Sequence, residues 1–381
     1  MFSSASNGIG LNAGTRFSNP EQKISSTEYN SFGKNINYVA YKSIPVPIAE
    51  FGIDIPVAVW YPVSPSDVDK GVMENFDGTR RNDYKPAIYN HRISLSKIGM
   101  LLAGWNLPSF LRKEYRLKPT LNKEVGTIVV DGDGIEIPTE DTRMILLAHG
   151  YLGSRFDLSH LAETLALDGF TCISAEYPES LSASYNPISS EYFNRSFITD
   201  RILDYFLKEL NISPKSSGII GHSLGCGTVV QTGDSSWTRV CIAGGFRGDP
   251  RIVGEKSPVL IISSINDGAV TYARVKDTIP KDFISLNENS IVVEDDESIT
   301  QDIPRRSSFL FEGSESPNHI SFLSGNVNDC MIDFLSPVLP LALMLGIPVL
   351  DFDRYKVSQD SDRTAKITLP VIKRFLKQSM T

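Results

Sequence analysis

The stretch that decides the fold is Ser216-Ser217-Gly218-Ile219-Ile220-Gly221-His222-Ser223-Leu224-Gly225-Cys226-Gly227-Thr228-Val229-Val230. It reads as a buried strand, a sharp turn and the start of a helix. Within it, Gly221-His222-Ser223-Leu224-Gly225 matches G-x-S-x-G, a pattern that puts a serine on a strained strand-to-helix turn. The two glycines have a steric reason, because Cβ atoms at those positions would collide inside the turn. The helix that follows aims its N-terminal N–H groups and the positive end of its dipole at the serine. Five residues alone occur by chance, and an ordinary Gly-rich turn between strand and helix is the rival reading. The apolar Ile219-Ile220 before the turn and the small Cys226-Gly227-Thr228 after it favour a nucleophilic serine.

Working outward, Met144-Ile145-Leu146-Leu147-Ala148 is a continuous apolar run ending at His149-Gly150, as a strand covered on both faces reads. An amphipathic helix is expected over 158–167, a strand over 171–176 and a long helix over 189–210. Beyond the serine turn, strands are expected over 239–243, 258–263 and 308–311. Apolar strands alternating with helices predict a doubly wound, mostly parallel sheet. Residues 36–41 alternate like an edge strand and 53–62 like a second strand. Residues 1–35, rich in polar and small residues, read as a flexible N-terminal segment, and 36–381 as one domain. Residues 64–124 form an insertion. Its apolar positions from Ile93 to Leu111 lie near helical spacing and predict a helix over 93–115. The apolar stretch 334–350 is too short and too rich in proline to span a membrane. An amphipathic helix over 363–377 closes the chain.

The composition is that of a globular protein, with 41% hydrophobic and 22% charged residues in 381. A net charge of -8 with no basic tract argues against a nucleic-acid partner. The four cysteines show no paired spacing, so neither a disulfide framework nor a metal site is indicated, and no cofactor motif is present. The first residues lack the basic start and apolar run of a secretion signal, so a cytoplasmic location is expected, unless an organellar leader has been trimmed away.

A serine nucleophile needs a base within reach and an acid to orient it. On this strand-turn-helix motif the chain order is serine, acid, histidine. The chain has five histidines, His91, His149, His160, His222 and His319, and only His319 follows Ser223. For the acid, Asp267 follows the 258–263 strand in Asn266-Asp267-Gly268, and Asp249, one strand earlier, is the alternative. The oxyanion of the reaction needs two backbone N–H groups. Leu224, directly after the serine, and Tyr151, in the loop His149-Gly150-Tyr151-Leu152-Gly153, are the candidates.

Three stretches together resemble the platelet-activating-factor acetylhydrolase family of α/β-hydrolases. They are Trp60-Tyr61-Pro62, the run from His149 to Arg155, and the run from Gly221 to Gln231. The insertion with Leu95-Ser96-Lys97-Ile98 and Trp105 lies where that family inserts apolar sequence, and His319-Ile320-Ser321-Phe322 is similar to its histidine loop. The resemblance covers roughly residues 36–378 and implies the α/β-hydrolase fold. It also implies metal-free hydrolysis of a lipophilic carboxylic ester, in that family a short acyl chain at the second position of a phospholipid. Ser223 carries over as nucleophile, His319 as base, and Leu224 and Tyr151 as oxyanion donors. One departure stands out. The family's acid lies at the end of the strand after the turn helix, and here that position reads Ala243-Gly244-Gly245. Asp267 would take its place, as in relatives similar to cutinases, polyester hydrolases and dienelactone hydrolases. Chlorophyllases are a further similar branch. The expectation is a serine esterase for a small lipophilic ester, with the apolar segments 93–111 and 334–350 shaping its pocket or meeting a lipid surface. A thioesterase or acyltransferase on the same residues, or a catalytically inactive binding protein on the same fold, are the rivals.

Overall fold

The computed structural model describes residues 37–63, 85–105, 107–108, 110–121, 127–182, 185, 190, 192–248, 252–293, 299–337, 340, 344 and 361–380. The N-terminal segment 1–35, the first part of the insertion, Asp249 and most of the apolar stretch 334–350 lie outside them.

Among the described residues the centre is a sheet of ten strands in the order β11-β12-β10-β9-β8-β6-β7-β2-β1-β5. These are β1 (Asn37–Ile48), β2 (Ile53–Val63), β5 (Thr127–Asp131), β6 (Thr142–Ala148), β7 (Phe170–Ala175), β8 (Pro214–His222), β9 (Thr238–Ile242), β10 (Val259–Ser264), β11 (Ile284–Asn287) and β12 (Arg306–Phe311). From β11 to β7 every pairing is parallel, and β2 then joins β7 and β1 antiparallel. The middle strands β7, β9 and β10 are buried at every position, which explains their largely apolar character, and the buried Arg239 of β9 donates to the carbonyls of Val229, Thr232 and Trp237. Alternate side chains point to opposite faces and feed two cores. Ile145, Ile220, Val240 and Ile262 pack with Leu161 and Leu165 of α2 (Ser159–Leu167) and with Val371 and Phe375 of α5 (Ser361–Ser379). Met144, Ile219, Cys241 and Ile261 pack with Ile198 and Ile202 of α3 (Arg195–Asp204) and Val229 of α4 (Gly225–Gln231).

Three expectations need correction. β1 is not an edge strand, because Asn37 to Tyr41 pair in parallel with β5, a run of five residues too short to announce itself. The helix expected over 189–210 begins only at Arg195, where the Asn194 side chain accepts the Phe197 N–H, and it passes into a π turn at Tyr205–Glu209. The helix expected over 93–115 is cut to α1 (Leu95–Ala103), closed by Gly104 at a φ of 67°. It lies between β3 (Tyr89–Ser94) and β4 (Arg112–Leu117), an antiparallel pair with Ile93 opposite Lys113. The charged residues of β4 are exposed, while Leu117 joins the main core. This strand-helix-strand unit forms a cap on the loops that follow β6 and β7, through Leu152 and Leu181 and the bond from the Tyr151 hydroxyl to the Leu101 carbonyl. Ile93 and Ile98 pack against Leu181 and Leu335, with Leu152 and Phe334 at the margin. No helix among the described residues is long and apolar enough to cross a membrane.

Candidate active site

Ser223 lies between β8 and α4 with a φ of 55°, a left-handed backbone that few L-residues adopt. Its N–H donates to the Ile242 carbonyl at 2.8 Å, which ties the turn to β9. A Cβ at Gly221 would come within 2.4 Å of the Gly225 backbone, and one at Gly225 within 2.1 Å of the Ala148 oxygen. Both glycines of the motif are therefore required by close backbone approach.

Asp267 and His319 are both buried and meet as expected from their loops, Nδ1 of the histidine 2.9 Å from Oδ2 of the carboxylate. The other carboxylate oxygen, Oδ1, accepts the N–H groups of Ala269 at 2.9 Å and Val270 at 2.8 Å. The neighbouring Asn266 amide donates to the carbonyls of Ser314 and Ser316, both at 3.1 Å, and so binds the acid's loop to the loop of the histidine. His319 opens a single 3₁₀ turn, His319–Phe322, whose Ile320 and Ser321 N–H groups are capped by Asn318 Oδ1. Asp249 lies outside the described residues, so the structure compares nothing with Asp267 at that position.

The serine turn and the histidine loop touch through His222. Its Nε2 lies 2.9 Å from the His319 carbonyl oxygen, and the two rings are 4.6 Å apart. Because the partner is a carbonyl, Nε2 carries the proton and donates. Burial, with the nearby His319, pushes the His222 pKa well below the ordinary histidine value, so the ring is neutral. Ser223 Oγ itself has no hydrogen-bond partner among the described residues, which is common before a substrate draws such groups together.

The loop after β6 lies against the serine. A Cβ on Gly150 would sit 3.2 Å from Ser223 Cβ. Within this loop His149 accepts the Tyr177 N–H on Nε2 at 3.0 Å and faces the Gly150 carbonyl with Nδ1 at 2.7 Å. Those partners make Nδ1 the protonated nitrogen, and burial pushes the pKa of His149 well below the histidine range. The N–H groups of Tyr151 and Leu224 have no backbone partner among the described residues. The Tyr151 hydroxyl reaches the cap and donates to the Leu101 carbonyl at 2.7 Å.

The other histidines serve the core. Burial pushes His91 down to about 3 and His160 to about 4, and His91 Nδ1 lies 3.0 Å from the Ser182 hydroxyl. Cys172, Cys226 and Cys241 are buried free thiols and Cys330 is half-buried. No cluster of His, Cys, Asp and Glu fit to hold a metal ion occurs among the described residues. One participant had no sequence signal. Arg195 of α3 reaches across 46 positions to the His149 carbonyl at 2.8 Å, and nothing local marks a contact of that span.

No family model matches the chain, and no curated protein matches it significantly. Among solved structures it is similar to a ferulic acid esterase from Streptomyces cinnamoneus, at 14% identity over 91% of this chain and 90% of that one, with a TM-score of 0.42. It is also similar to an esterase from Pyrococcus furiosus, at 9% identity over 90% and 93% with a TM-score of 0.39. A dienelactone hydrolase from Anabaena variabilis shares 11% identity over 78% and 96%, with a TM-score of 0.34. The chain's own strand order, its antiparallel β2 and the serine turn at the carboxyl end of β8 define the architecture: this chain has the α/β-hydrolase fold.

Proposed function

We propose that this chain is a serine hydrolase of lipophilic carboxylic esters, with Ser223 as nucleophile, His319 as base and Asp267 as the orienting acid. The observation that carries the reading is the linked pair of loops. His319 is held by Asp267 on Nδ1, and its own carbonyl is held by the residue next to Ser223. In this reaction His319 takes the proton of Ser223 as the serine oxygen bonds to the ester carbonyl. The N–H groups of Tyr151 and Leu224 receive the oxyanion. The carbon–oxygen bond to the alcohol breaks, and the alcohol leaves with the proton from His319. Water then attacks the acyl-enzyme, gives a proton to His319, and the acid departs as that proton returns to Ser223. Asp267 keeps Nδ1 protonated and stabilises the imidazolium that forms twice in the cycle.

Exposed apolar side chains support a lipophilic substrate. Tyr151 and Leu224, on either side of Ser223, are 41% and 44% exposed despite their size. Trp105 and Phe110 of the cap are likewise 44% and 75% exposed and suit contact with a lipid interface. A short acyl chain on a phospholipid is the substrate that the resemblance implies, and an acid after β10 favours simpler esters of the dienelactone or polyester type.

A fluorophosphonate probe should label the wild type and spare Ser223→Ala. A p-nitrophenyl ester series of rising chain length should show turnover with an optimum that separates the two substrate types. A folded wild type that takes no label would overturn the reading and leave a binding protein on a hydrolase fold.

A further inference from the structure

Resting on that reading, we infer that Arg195 is a positioning residue that holds the Gly150–Tyr151 peptide with its N–H toward the reacting oxygen. A trans peptide carries its C=O and its N–H on opposite sides, so whatever fixes one direction fixes the other. The Gly150 carbonyl is drawn to one side by three donors: His149 Nδ1 at 2.7 Å, the Gly153 N–H at 3.3 Å and Arg195 Nη2 at 3.4 Å. The Tyr151 N–H of the same peptide is therefore turned away from them. Among the described residues that N–H has no backbone partner, and it lies on the loop whose Gly150 sits against Ser223.

Arg195 does more than add one bond. Its Nη1 donates to the His149 carbonyl at 2.8 Å and to the Thr228 hydroxyl of α4 at 3.4 Å, so one guanidinium spans the oxyanion loop and the helix behind Ser223. The group is itself held, by an ion pair with Glu179 and by stacking on the Tyr177 ring at 4.3 Å. Glu179 also accepts, on its backbone carbonyl at 3.2 Å, the N–H of Leu152, which itself has a φ of 59°. A strained loop stays in place only where its surroundings over-determine it, and here they do. Charge adds to geometry. A cation bonded to the carbonyl end of an amide polarises the unit and strengthens the N–H at the other end as a donor.

The test compares wild type with Arg195→Met and Arg195→Lys, using p-nitrophenyl acetate turnover and inhibition by a trifluoromethyl ketone, which forms a tetrahedral serine adduct. Losing a whole oxyanion donor costs on the order of 100-fold to 1,000-fold, so a misdirected one in Arg195→Met should lower kcat by about 10-fold to 100-fold. KM should change by less than about threefold, and the affinity for the ketone should fall by the same factor as kcat/KM. Arg195→Lys keeps the charge without the fork and should lie between the two. If Arg195→Met does not fold, Arg195→Lys decides: a fall in kcat matched by the ketone supports the inference, and wild-type values for both overturn it. A kcat loss in Arg195→Met without a matching loss of ketone affinity also overturns it. An active wild type unmoved by either substitution refutes the role of Arg195 alone. A wild type that neither turns over the ester nor labels at Ser223 refutes the esterase reading beneath it.

Discussion

Replacing Asp267 with asparagine should nearly abolish turnover without unfolding the protein, and the reason lies in which oxygen holds what. Oδ1 accepts two backbone N–H groups, from Ala269 and Val270, so only an oxygen can remain there. The amide nitrogen of Asp267→Asn must then take the place of Oδ2, 2.9 Å from His319 Nδ1. Two donors cannot face one another, so His319 moves its proton to Nε2 and meets Ser223 with the wrong tautomer. A change of this kind lowers kcat by about 10,000-fold, or about 5.5 kcal/mol of barrier. Stability should fall much less, by about 1–2 kcal/mol, because the two backbone bonds survive with a neutral acceptor. Ester turnover measured beside urea unfolding separates the two quantities. Retention of more than about a tenth of wild-type kcat would refute the assignment. A collapse in Asp249→Asn with an active Asp267→Asn would move the acid to Asp249.

Two further predictions concern stability. Ser223 holds a left-handed backbone, which costs a residue with a Cβ roughly 1–2 kcal/mol more than glycine, against about 0.4–1 kcal/mol that glycine loses through the unfolded chain. Ser223→Gly should therefore resist urea better than Ser223→Ala by about 0.5–1 kcal/mol, and the opposite order would show an unstrained turn. Asp157 gives a pH signature. Burial, opposed by bonds from the Ser154 N–H and hydroxyl, pushes its carboxyl from 3.8 up to about 7. Between those values the folded protein keeps a proton that the unfolded chain has released, so the stabilisation is complete below about pH 4 and is lost as pH rises toward 7. Relative to Asp157→Asn, the wild type should lose on the order of 4 kcal/mol across that window, read from urea midpoints at pH 4 to 7, and parallel curves would count against it.

What was legible in the chain was local or ordinal. The serine turn is five consecutive residues with a steric requirement that glycine alone meets. His319 is the single histidine after Ser223, so order in the chain singled it out. Buried parallel strands such as β6 and β10 show as apolar runs, Met144–Ala148 and Val259–Ile262, because both faces are covered. The rest depends on distant pairing. Arg112, Lys113, Glu114 and Arg116 fall inside a stretch whose apolar positions suggest a helix, and only the partnership with β3 makes them a strand. Arg195 has no local signature, because its partners are the carbonyls of His149 and Gly150, 46 and 45 positions away.

The end of β9 bears on how such a chain changes over time. Ala243-Gly244-Gly245 stands where the resemblance would place the acid, and the fold has nearly closed that position. Ala243 is left-handed at a φ of 51°. A Cβ on Gly244 would lie 2.5 Å from Cys226 Sγ and 2.7 Å from the Ser223 carbonyl. Gly245 has more room, facing the Thr278 hydroxyl at 3.3 Å. A lineage that moves its carboxylate from β9 to β10 must pass through a chain with both acids or with neither. With the serine turn settled against position 244, one substitution cannot place a carboxylate there unless the turn also shifts. At the end of β9 this fold therefore leaves room for a side chain at position 245 but not at 244.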